Sequence, residues 1–380
     1  MAVVGIICEY NPFHKGHRKQ FSMIRQHFGE ETAIVCLMSG NFVQRGAPAV
    51  FDRCARAEAA VRGGASLVLE LPVTVSLSSA EGFASGGVSI LSRLCDTLCF
   101  GTESGSTDSL TRTAEALLSP AFGARLREQL AAGISFPAAR QRALEALGIP
   151  NALLEKPNDI LAVEYCKAIL SQGSPLFPFP VTRQGSYHAE IPEDENPSAT
   201  ALRRCIAMGE DWLRFVPEEA ASCLEHAAVH TLDAGERAIL ARLRTMEDAE
   251  FEALPYGSEG LWRRLMHACR EEGGLEEILT RVKTKRYTRS RLDRMVLCAF
   301  LGISREDLRA PAPYARILAF DDRGRSVLKG SSFCKNLGWQ EKSGYASLEQ
   351  RCNTLYGLFC RDEISKADAA QDQRLFYLHR

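Results

Sequence analysis

The sequence feature that most constrains the fold is a short apolar run that ends in a His-x-Gly-His turn. Val3–Cys8 is rich in β-branched residues and predicts a strand, and residues 9–17 (EYNPFHKGH) follow it directly. Two imidazoles, here His14 and His17, can stabilise negative charge that develops on a phosphate, and Gly16 lets a nucleotide come close. The motif therefore predicts a nucleotide triphosphate site. The open alternative is an ordinary Asn-Pro turn with histidines on the surface.

Strands and helices alternate over the first 105 residues. Because the strand candidates are continuous apolar runs separated by helices, they favour a parallel sheet with helices on both faces. Ligands of such folds bind outside the carboxyl ends of the strands. His14, Asn41 and Gly101 each come just after a strand, so position alone predicts that they lie on one rim. The predicted strands are residues 3–8, 32–38, 66–71 and 97–100, and the predicted helices are 15–28, 51–62 and 82–94.

The pattern changes after residue 105. Helical periodicity runs to about residue 172, and an apolar stretch at 177–181 predicts an edge strand or an extended segment because two of its residues are proline. Ser198 is a natural N-cap and opens another helix. Near the carboxyl terminus, residues 315–320 and 326–328 predict a hairpin.

These segments indicate two domains. The first is an α/β domain over residues 1–208, with a helical insertion at about 106–172. The second, residues 209–380, is mostly helical, because strand signals fade after about residue 210 and charge-rich helix formers dominate the next hundred residues. We therefore expect a parallel-sheet domain followed by a mostly helical one.

Composition narrows the class of protein. The chain has 380 residues and a formal net charge of −1, so any polyanion site must be a local patch. Its first apolar stretch is too short for a signal peptide or a membrane span, which predicts a soluble cytoplasmic protein with no membrane partner. The 13 cysteines are odd in number and scattered. Without a C-x-x-C pair they predict buried thiols rather than disulfides or a zinc site, and we expect no protein-bound metal centre.

A second motif comes later in the chain. Residues 198–203 (SATALR) place two hydroxyls and a guanidinium at the start of a helix, which suits β- and γ-phosphates. The alternative is helix capping beside an exposed arginine. In this order, residues 14–17 (HKGH) and 198–203 together resemble the two signatures of the HIGH-type nucleotidylyltransferase superfamily. The resemblance implies a Rossmann-like sheet and a triphosphate bound between the two motifs.

A longer set of motifs is similar to the tRNA(Met) cytidine acetate ligase family. We associate the signature at residues 38–46 (MSGNFVQRG) with that family alone. One departure is Ser66, where the family pattern has aspartate; since Ser66 precedes a strand, we interpret the change as structural. The resemblance covers about the first 290 residues and is weaker for 315–329. Further matches are residues 64–72 (GASLVLELP), 100–103 (FGTE), 157–161 (PNDIL), 183–188 (RQGSYH) and 285–291 (KRYTRSR).

The resemblance implies a reaction and its partners. Acetate attacks the α-phosphate of ATP to give acetyl-adenylate and pyrophosphate, and the exocyclic amine of the wobble cytidine in elongator tRNA(Met) takes the acetyl group. The products are N4-acetylcytidine and AMP. Mg²⁺ is expected with ATP, and no stable protein partner is expected. Two other interpretations stay open: an adenylyltransferase acting on a small phosphorylated metabolite, and a non-catalytic RNA-binding protein on the same fold.

The resemblance also assigns residues to the site. Gly101, Asn158 and Arg183 match family contacts to ATP, although a turn glycine, an N-cap and a surface arginine are the alternatives. Glu9 receives no chemical role, because a carboxylate beside a triphosphate is unfavourable unless a cation lies between them. The expected catalytic residues are His14 and His17, and the expected ATP-binding set is Ile7, Cys8, Glu9, Tyr10, Asn11, Pro12, Phe13, His14, Lys15, Gly16, His17, Gly101, Asn158, Arg183, Ser198, Thr200 and Arg203.

One segment of the helical half is strongly basic. Residues 281–294 (RVKTKRYTRSRLDR) hold seven basic residues and one aspartate in a chain of net charge −1. This local excess predicts a surface that follows the phosphates of tRNA, with binding that weakens as salt rises, and Tyr287 is placed to stack on a base. The alternative is a solvated charged face. The expected tRNA-binding residues are Arg45, Lys283, Lys285, Arg286, Tyr287, Arg289 and Arg291.

Overall fold

The structure is a computed structural model. It describes residues 1–134, 136–182, 197–311, 315–330, 344–362 and 374–379. The strands within these ranges are β1 Val3–Cys8, β2 Ala33–Ser39, β3 Phe42–Val43, β4 Ala47–Pro48, β5 Leu67–Leu71, β6 Thr97–Thr102, β7 Phe177–Thr182, β8 Arg316–Asp321 and β9 Phe376–Leu378.

Helices make up most of the remaining described chain. Short 3₁₀ turns lie at Asn151–Leu154, Leu213–Phe215 and Gly357–Phe359. The α-helices are α1 Lys15–Phe28, α2 Arg53–Arg62, α3 Val73–Ser76, α4 Ala80–Leu91, α5 Thr107–Leu118, α6 Pro120–Ala131, α7 Phe136–Glu145, α8 Pro157–Ser171, α9 Ala199–Met208, α10 Glu218–Glu225, α11 Leu232–Thr245, α12 Asp248–Ala253, α13 Leu261–Glu271, α14 Leu275–Val282, α15 Arg289–Leu301, α16 Arg305–Arg309, α17 Asp322–Gly330 and α18 Gly344–Tyr356.

Seven of the described strands form one sheet in the order β7-β6-β1-β2-β5-β8-β9. The strands from β7 to β5 are parallel, β8 runs antiparallel to β5, and β9 runs parallel to β8. In the register of β1 and β2, Val3 lies opposite Ala33 and Cys8 opposite Met38. The predicted parallel sheet is confirmed, and the proline-containing β7 lies at its edge, where missing N–H donors cost no ladder bonds.

Helices cover both faces of the sheet, because its inner strands are apolar along their whole length. Every residue of β2 and β5 is buried. One face packs against α4, α5 and α8, and the other packs against α1 and α2. This double cover is the arrangement that continuous apolar strands require.

A third apolar core holds the helical half together. It is built from α11, α13, α14, α15 and α18, and it also takes in Phe42, Val73 and Leu77 from the rim of the sheet. The mostly helical carboxyl-terminal half predicted from the sequence is therefore confirmed. The division into domains at residue 208 stays a prediction, since β8 and β9 return to the sheet.

The predicted carboxyl-terminal hairpin is wrong. Its first half is β8, which pairs with β5 in the central sheet, and its second half lies inside α17. Asp321 explains the difference, because its Oδ1 accepts the backbone N–H of Gly324 at 2.9 Å and starts a helix there. Gly324 also packs against the backbone of Ser66, where a Cβ would lie 2.0 Å from the carbonyl oxygen.

A buried polar cluster joins α18 to the rim of the sheet. Oε1 of Glu349 accepts the backbone N–H of Val73 at 2.7 Å. The carboxylate of Glu70 lies 3.5 Å from Nη1 of Arg53 and 3.7 Å from Nε of Arg316. Burial, together with the neighbouring negative charge of Glu70, raises the pKa of Glu349 to about 7. At neutral pH the cluster therefore holds a carboxyl group that is close to its titration point.

We expect the Glu349→Gln variant to flatten the pH dependence of stability. The pKa of Glu349 is raised in the folded state, so its favourable contribution is complete below about pH 4.5 and is lost as pH rises through about 7. Glutamine keeps an acceptor for Val73 but carries no charge. We would measure urea unfolding at pH 5, 6, 7 and 8. The free energy of unfolding of the variant, relative to that of the wild type, should increase by about 3 kcal/mol across that range. A stability difference that is constant with pH would contradict this assignment.

Candidate active site

A cavity of about 380 Å³ opens at the carboxyl ends of β1 and β6. This is the edge at which parallel sheets bind ligands, and the volume is in the range of small-molecule sites. Its walls come from the turn after β1, the loop after β3, the end of β6 and the first turns of α8 and α9. The lining includes Ile7, Cys8, Glu9, Tyr10, Asn11, His14, Gly16, His17, Lys19, Gln20, Gln44, Arg45, Gly101, Glu103, Asn158, Tyr165, Ser198, Thr200 and Arg203.

The two histidines are held in fixed orientations by the start of α1. His14 is the N-cap of this helix and is only 1% exposed, and its Nδ1 accepts the backbone N–H of Gly16 at 3.1 Å. The backbone N–H of His14 donates to Nδ1 of His17 at 3.2 Å, and the two rings stack with centroids 3.7 Å apart. Because both Nδ1 atoms accept, the neutral rings carry their protons on Nε2 and present donors to an anion.

Buried aromatic and amide groups support this turn. The ring of Tyr10 packs 4.7 Å from the ring of His17, and the Tyr10 hydroxyl lies 3.3 Å from Sγ of Cys36. Oδ1 of Asn11 accepts the backbone N–H of Val50 at 2.8 Å. The turn is therefore anchored both to β2 and to the segment that follows β4.

The start of α9 is bonded to the same turn. Oγ of Ser198 caps the helix by accepting the backbone N–H of Ala201 at 3.0 Å. Arg203 donates from Nη1 to the carbonyl oxygen of Asn11 at 2.7 Å and from Nη2 to Oγ1 of Thr200 at 3.1 Å. The structure therefore brings the two predicted anion motifs together at one cavity, where a helix N-terminus and a guanidinium favour phosphate.

The end of β6 and the start of α8 form the next part of the wall. Gly101 lines the cavity, and Asn158 is the second residue of α8, with its Nδ2 donating to Oε1 of Glu103 at 2.7 Å. Burial alone would raise the pKa of Asp159, but hydrogen bonds from the hydroxyl and backbone groups of residues 102–104 lower it below its usual value. The Asp159 carboxylate therefore fixes this loop without facing the cavity.

The opposite wall comes from the loop between β3 and β4. The backbone N–H of Gln44 donates to Oε1 of Glu9 at 2.9 Å. Gly46 has a φ of 82°, and a Cβ there would lie 2.4 Å from the backbone nitrogen of Arg294. Nη1 of Arg294 in turn donates to the carbonyl oxygen of Gln44 at 3.1 Å. Helix α15 of the helical half is thus in direct contact with the wall of the cavity.

The side chain of Arg56 supports the ends of β1 and β2 at the site, and the sequence analysis did not predict this role. Its side chain is completely buried, and burial lowers its pKa. Nη1 donates to the carbonyl oxygens of Glu9 at 2.6 Å and of Ser39 at 3.0 Å, and Nη2 donates to the carbonyl of Gly40. The sequence contains one signal for its position. Arg56 lies four residues before the apolar Ala60, and this helical spacing places both on the buried face of α2.

Most of the predicted ATP-binding residues line the cavity, although their roles stay predictions. Pro12, Phe13 and Lys15 do not line it; Phe13 packs in the core 5.1 Å from the ring of Tyr10, and Lys15 points to solvent. Arg183 lies outside the described residues. Lining residues that sequence reasoning missed are Lys19, Gln20, Gln44, Glu103 and Tyr165. The first two follow Gly16 by three and four residues on α1, so helical spacing was their signal.

The basic segment 281–294 packs against acidic neighbours. Tyr287 is 6% exposed and its hydroxyl donates to the carbonyl oxygen of Glu259 at 2.9 Å, so the predicted base stacking does not fit its position. Lys283 and Lys285 are exposed, and Arg45 lies at the cavity. The ion pairs are Arg281 with Glu271 and Glu272, Arg286 with Glu259, and Arg289 with Glu276 and Asp293.

The described cysteines are spread through the structure without disulfide bonds. In the described ranges the cysteines are free thiols, and Cys36, Cys99, Cys166 and Cys298 are buried as predicted. The prediction is wrong for Cys8, which is half-buried because it ends β1 at the cavity. The same part of the chain contains no cluster of three or more His, Cys, Asp or Glu side chains that could hold a metal ion. None of its helices is long and apolar enough to cross a bilayer.

Paired histidines after the first strand of a Rossmann-like sheet, with hydroxyls and an arginine opening a later helix, define a nucleotidyl transferase. The sequence pattern of the HIGH Nucleotidyl Transferase family matches residues 1–371. The chain is 36% identical over 352 residues to the tRNA(Met) cytidine acetate ligase of Bacillus subtilis (strain 168). The aligned region covers 86% of this chain and 84% of that protein. It is 35% identical over 354 residues to that of Clostridium perfringens, covering 87% of each. The chain belongs to the tRNA(Met) cytidine acetate ligase family.

Solved structures agree with this assignment. The chain superposes on the crystal structure of apo Thermotoga maritima TmcAL with a TM-score of 0.90 and 30% sequence identity, with 100% of each chain covered. The form of the same protein bound with alpha-thio ATP gives a TM-score of 0.88 at the same identity and coverage. The similarity therefore includes the helical half as well as the sheet.

We expect the His14→Asn variant to separate the capping role of this side chain from its chemical role. Asparagine is among the best N-caps, so the melting temperature should stay near that of the wild type, whereas His14→Ala should lose about 1 kcal/mol of stability. Because asparagine lacks the ring Nε2 donor, acetate-dependent ATP–pyrophosphate exchange should fall about 100-fold or more. Ser22→Ala, on the exposed side of α1, is the matched control. Wild-type exchange by His14→Asn would contradict the catalytic role.

Proposed function

We propose that the protein uses ATP and acetate to acetylate the wobble cytidine of elongator tRNA(Met), giving N4-acetylcytidine, AMP and pyrophosphate. One observation carries the proposal: Asn11 and Arg203, 192 residues apart, bond to each other at a cavity with paired histidines, in a chain that matches tRNA(Met) cytidine acetate ligases over most of its length. Nucleotidyl transfer requires such a concentration of donors.

The first step forms acetyl-adenylate. A carboxylate oxygen of acetate attacks the α-phosphate of ATP, and the bond to the bridging oxygen of pyrophosphate breaks. The Nε2–H groups of His14 and His17 stabilise the charge that grows on the phosphate oxygens as pyrophosphate leaves. Thr200 and Arg203 hold the β- and γ-phosphates at the start of α9. If Mg²⁺ accompanies ATP, it would supply positive charge to the phosphate oxygens, which are the kind of ligand this ion prefers.

The second step transfers the acetyl group. The exocyclic amine of cytidine attacks the carbonyl carbon of acetyl-adenylate, and the bond from that carbon to the phosphate oxygen breaks. AMP leaves, and the amine gives up a proton. We propose that the acceptor enters beside Gln44 and Arg45, at the wall formed by the loop between β3 and β4.

The helical half favours an RNA acceptor over a small metabolite. Helix α15 packs against the loop 44–46, so the helical half lies next to one wall of the cavity. Lys283 and Lys285 project from the segment that precedes α15. Arg286 and Arg289 lie beside them in ion pairs and can exchange a carboxylate for a phosphate. We propose these four residues and Arg45 as contacts to tRNA.

A direct assay tests the proposed function. The protein is incubated with ATP, isotopically labelled acetate and unmodified elongator tRNA(Met), and the RNA is then digested to nucleosides for mass spectrometry. We expect labelled N4-acetylcytidine that depends on both ATP and acetate. If label instead appears in a small phosphorylated metabolite, or in no product while tRNA still binds, the proposed reaction is wrong.

Reversing the charge of Lys283 and Lys285 tests the proposed RNA surface. The double variant Lys283→Glu/Lys285→Glu should raise the KM for tRNA about 10-fold and reduce the slope of log Kd against log salt by about two, because two phosphate contacts are lost. The KM for ATP should be unchanged. The matched control is Arg93→Glu/Arg125→Glu. Arg93 is exposed between α4 and β6, and Arg125 is exposed on α6. Equal effects on tRNA binding in both variants would argue against a dedicated surface.

A further inference from the structure

The cavity has two chemically different sides, and β1 separates them. In the sheet, β6 lies on one side of β1 and β2 lies on the other. Thr200 and Arg203 open α9, the helix that follows β7 along the described chain, and they supply donors for anions. Glu9 is bonded to Gln44, which follows β2 and β3, and so belongs to the opposite side. Arg203 bonds to the carbonyl oxygen of Asn11, whereas the carboxylate of Glu9 is bonded to the loop between β3 and β4.

Hydrogen bonds fix the carboxylate of Glu9 through only one of its two oxygens. Its backbone carbonyl accepts Nη1 of the buried Arg56 at 2.6 Å, and its Oε1 accepts the backbone N–H of Gln44 at 2.9 Å. Among the described residues, none bonds to Oε2. The residue is half-buried and lines the cavity, so Oε2 is available to a bound group.

Acetyl transfer needs a proton acceptor, and the described lining offers few. The amine of cytidine must lose a proton once it bonds to the acetyl carbon. Both histidines have their Nδ1 atoms engaged by backbone N–H groups and present Nε2–H donors. Burial raises the pKa of the Cys8 thiol and of the Tyr165 hydroxyl well above their ordinary values, so both stay protonated.

Two carboxylates remain in the described lining, and one of them is on the wrong side. Oε1 of Glu103 accepts Nδ2 of Asn158 at 2.7 Å, at the end of β6. That position lies at the end of β6, on the opposite side of β1 from β2. The carboxylate of Glu9 is bonded to Gln44, next to Arg45, which we propose as a contact to tRNA.

We propose that Glu9 is the general base for acetyl transfer, accepting the proton from the exocyclic amine of cytidine. This inference rests on the proposed function. As the amine nitrogen bonds to the acetyl carbon, the amine proton moves to Oε2 of Glu9. The bond from that carbon to the phosphate oxygen then breaks, and AMP leaves as the anion. Glu9 takes no part in forming acetyl-adenylate.

The test measures the two half-reactions separately. Glu9→Gln keeps an oxygen acceptor for Gln44 and so preserves the loop, but it cannot take a proton. Acetate-dependent ATP–pyrophosphate exchange should stay within threefold of the wild type. Single-turnover transfer from synthetic acetyl-adenylate to tRNA should fall 100-fold or more, as expected for loss of a general base. The exposed Glu30→Gln should change neither rate.

The pH profile and a conservative variant distinguish a base from a purely structural residue. The pH dependence of the transfer rate should differ between the wild type and Glu9→Gln, because only the wild type has a base at this position. Glu9→Asp should recover part of the transfer rate because it restores a carboxylate.

Transfer by Glu9→Gln within threefold of the wild type, or an equal loss of exchange and transfer, would overturn the assignment. Failure of the wild type to acetylate tRNA at all would instead reject the proposed function.

Discussion

The rim of the cavity depends on one buried guanidinium. Arg56 donates to carbonyl oxygens at the end of β1, at the end of β2 and, through Nε at 2.9 Å, to Phe51. Strand ends leave carbonyls without ladder partners, and buried carbonyls without donors are costly. A planar group with five N–H donors satisfies several of them at once and fixes their relative positions. The histidine turn and the loop after β2 are therefore set by the same side chain.

The helical half completes this rim from the other side. Nδ2 of Asn41 donates to Oδ1 of Asn353 at 3.1 Å, and the hydroxyl of Tyr356 donates to the carbonyl of Ala49 at 2.8 Å. Both partners belong to α18, more than 300 residues along the chain from the loop they hold. The loop that carries Gln44 therefore has its shape imposed by the carboxyl-terminal helices. Without the helical half, the loop that forms one wall of the site would lose these two supports.

Local sequence patterns predicted those elements of the fold that are determined by residues close together in the sequence. The bounds of β1 and α1 agree with the structure, because a continuous apolar strand and a capped amphipathic helix are both determined over a few residues. Long-range contacts could not be predicted in this way. Strand β8 pairs with β5 about 250 residues earlier, and the charge of segment 281–294 is compensated by carboxylates from α13 and α14. Arg56 was missed for the same reason, since its partners lie on other elements.

The position of β1 in the sheet explains how the turn that follows it can serve both ATP and the acceptor of the acetyl group. The chain builds β2 and β5 outward on one side of β1 and then returns to place β6 and β7 on the other. At such a switch point the following loops separate in opposite directions and leave a crevice above the strand. The donors that we propose for the triphosphate lie at the start of α9, which follows β7, and the carboxylate of Glu9 is bonded to the loop that follows β2 and β3. The activated intermediate can therefore form against one wall and be attacked from the other without leaving the crevice.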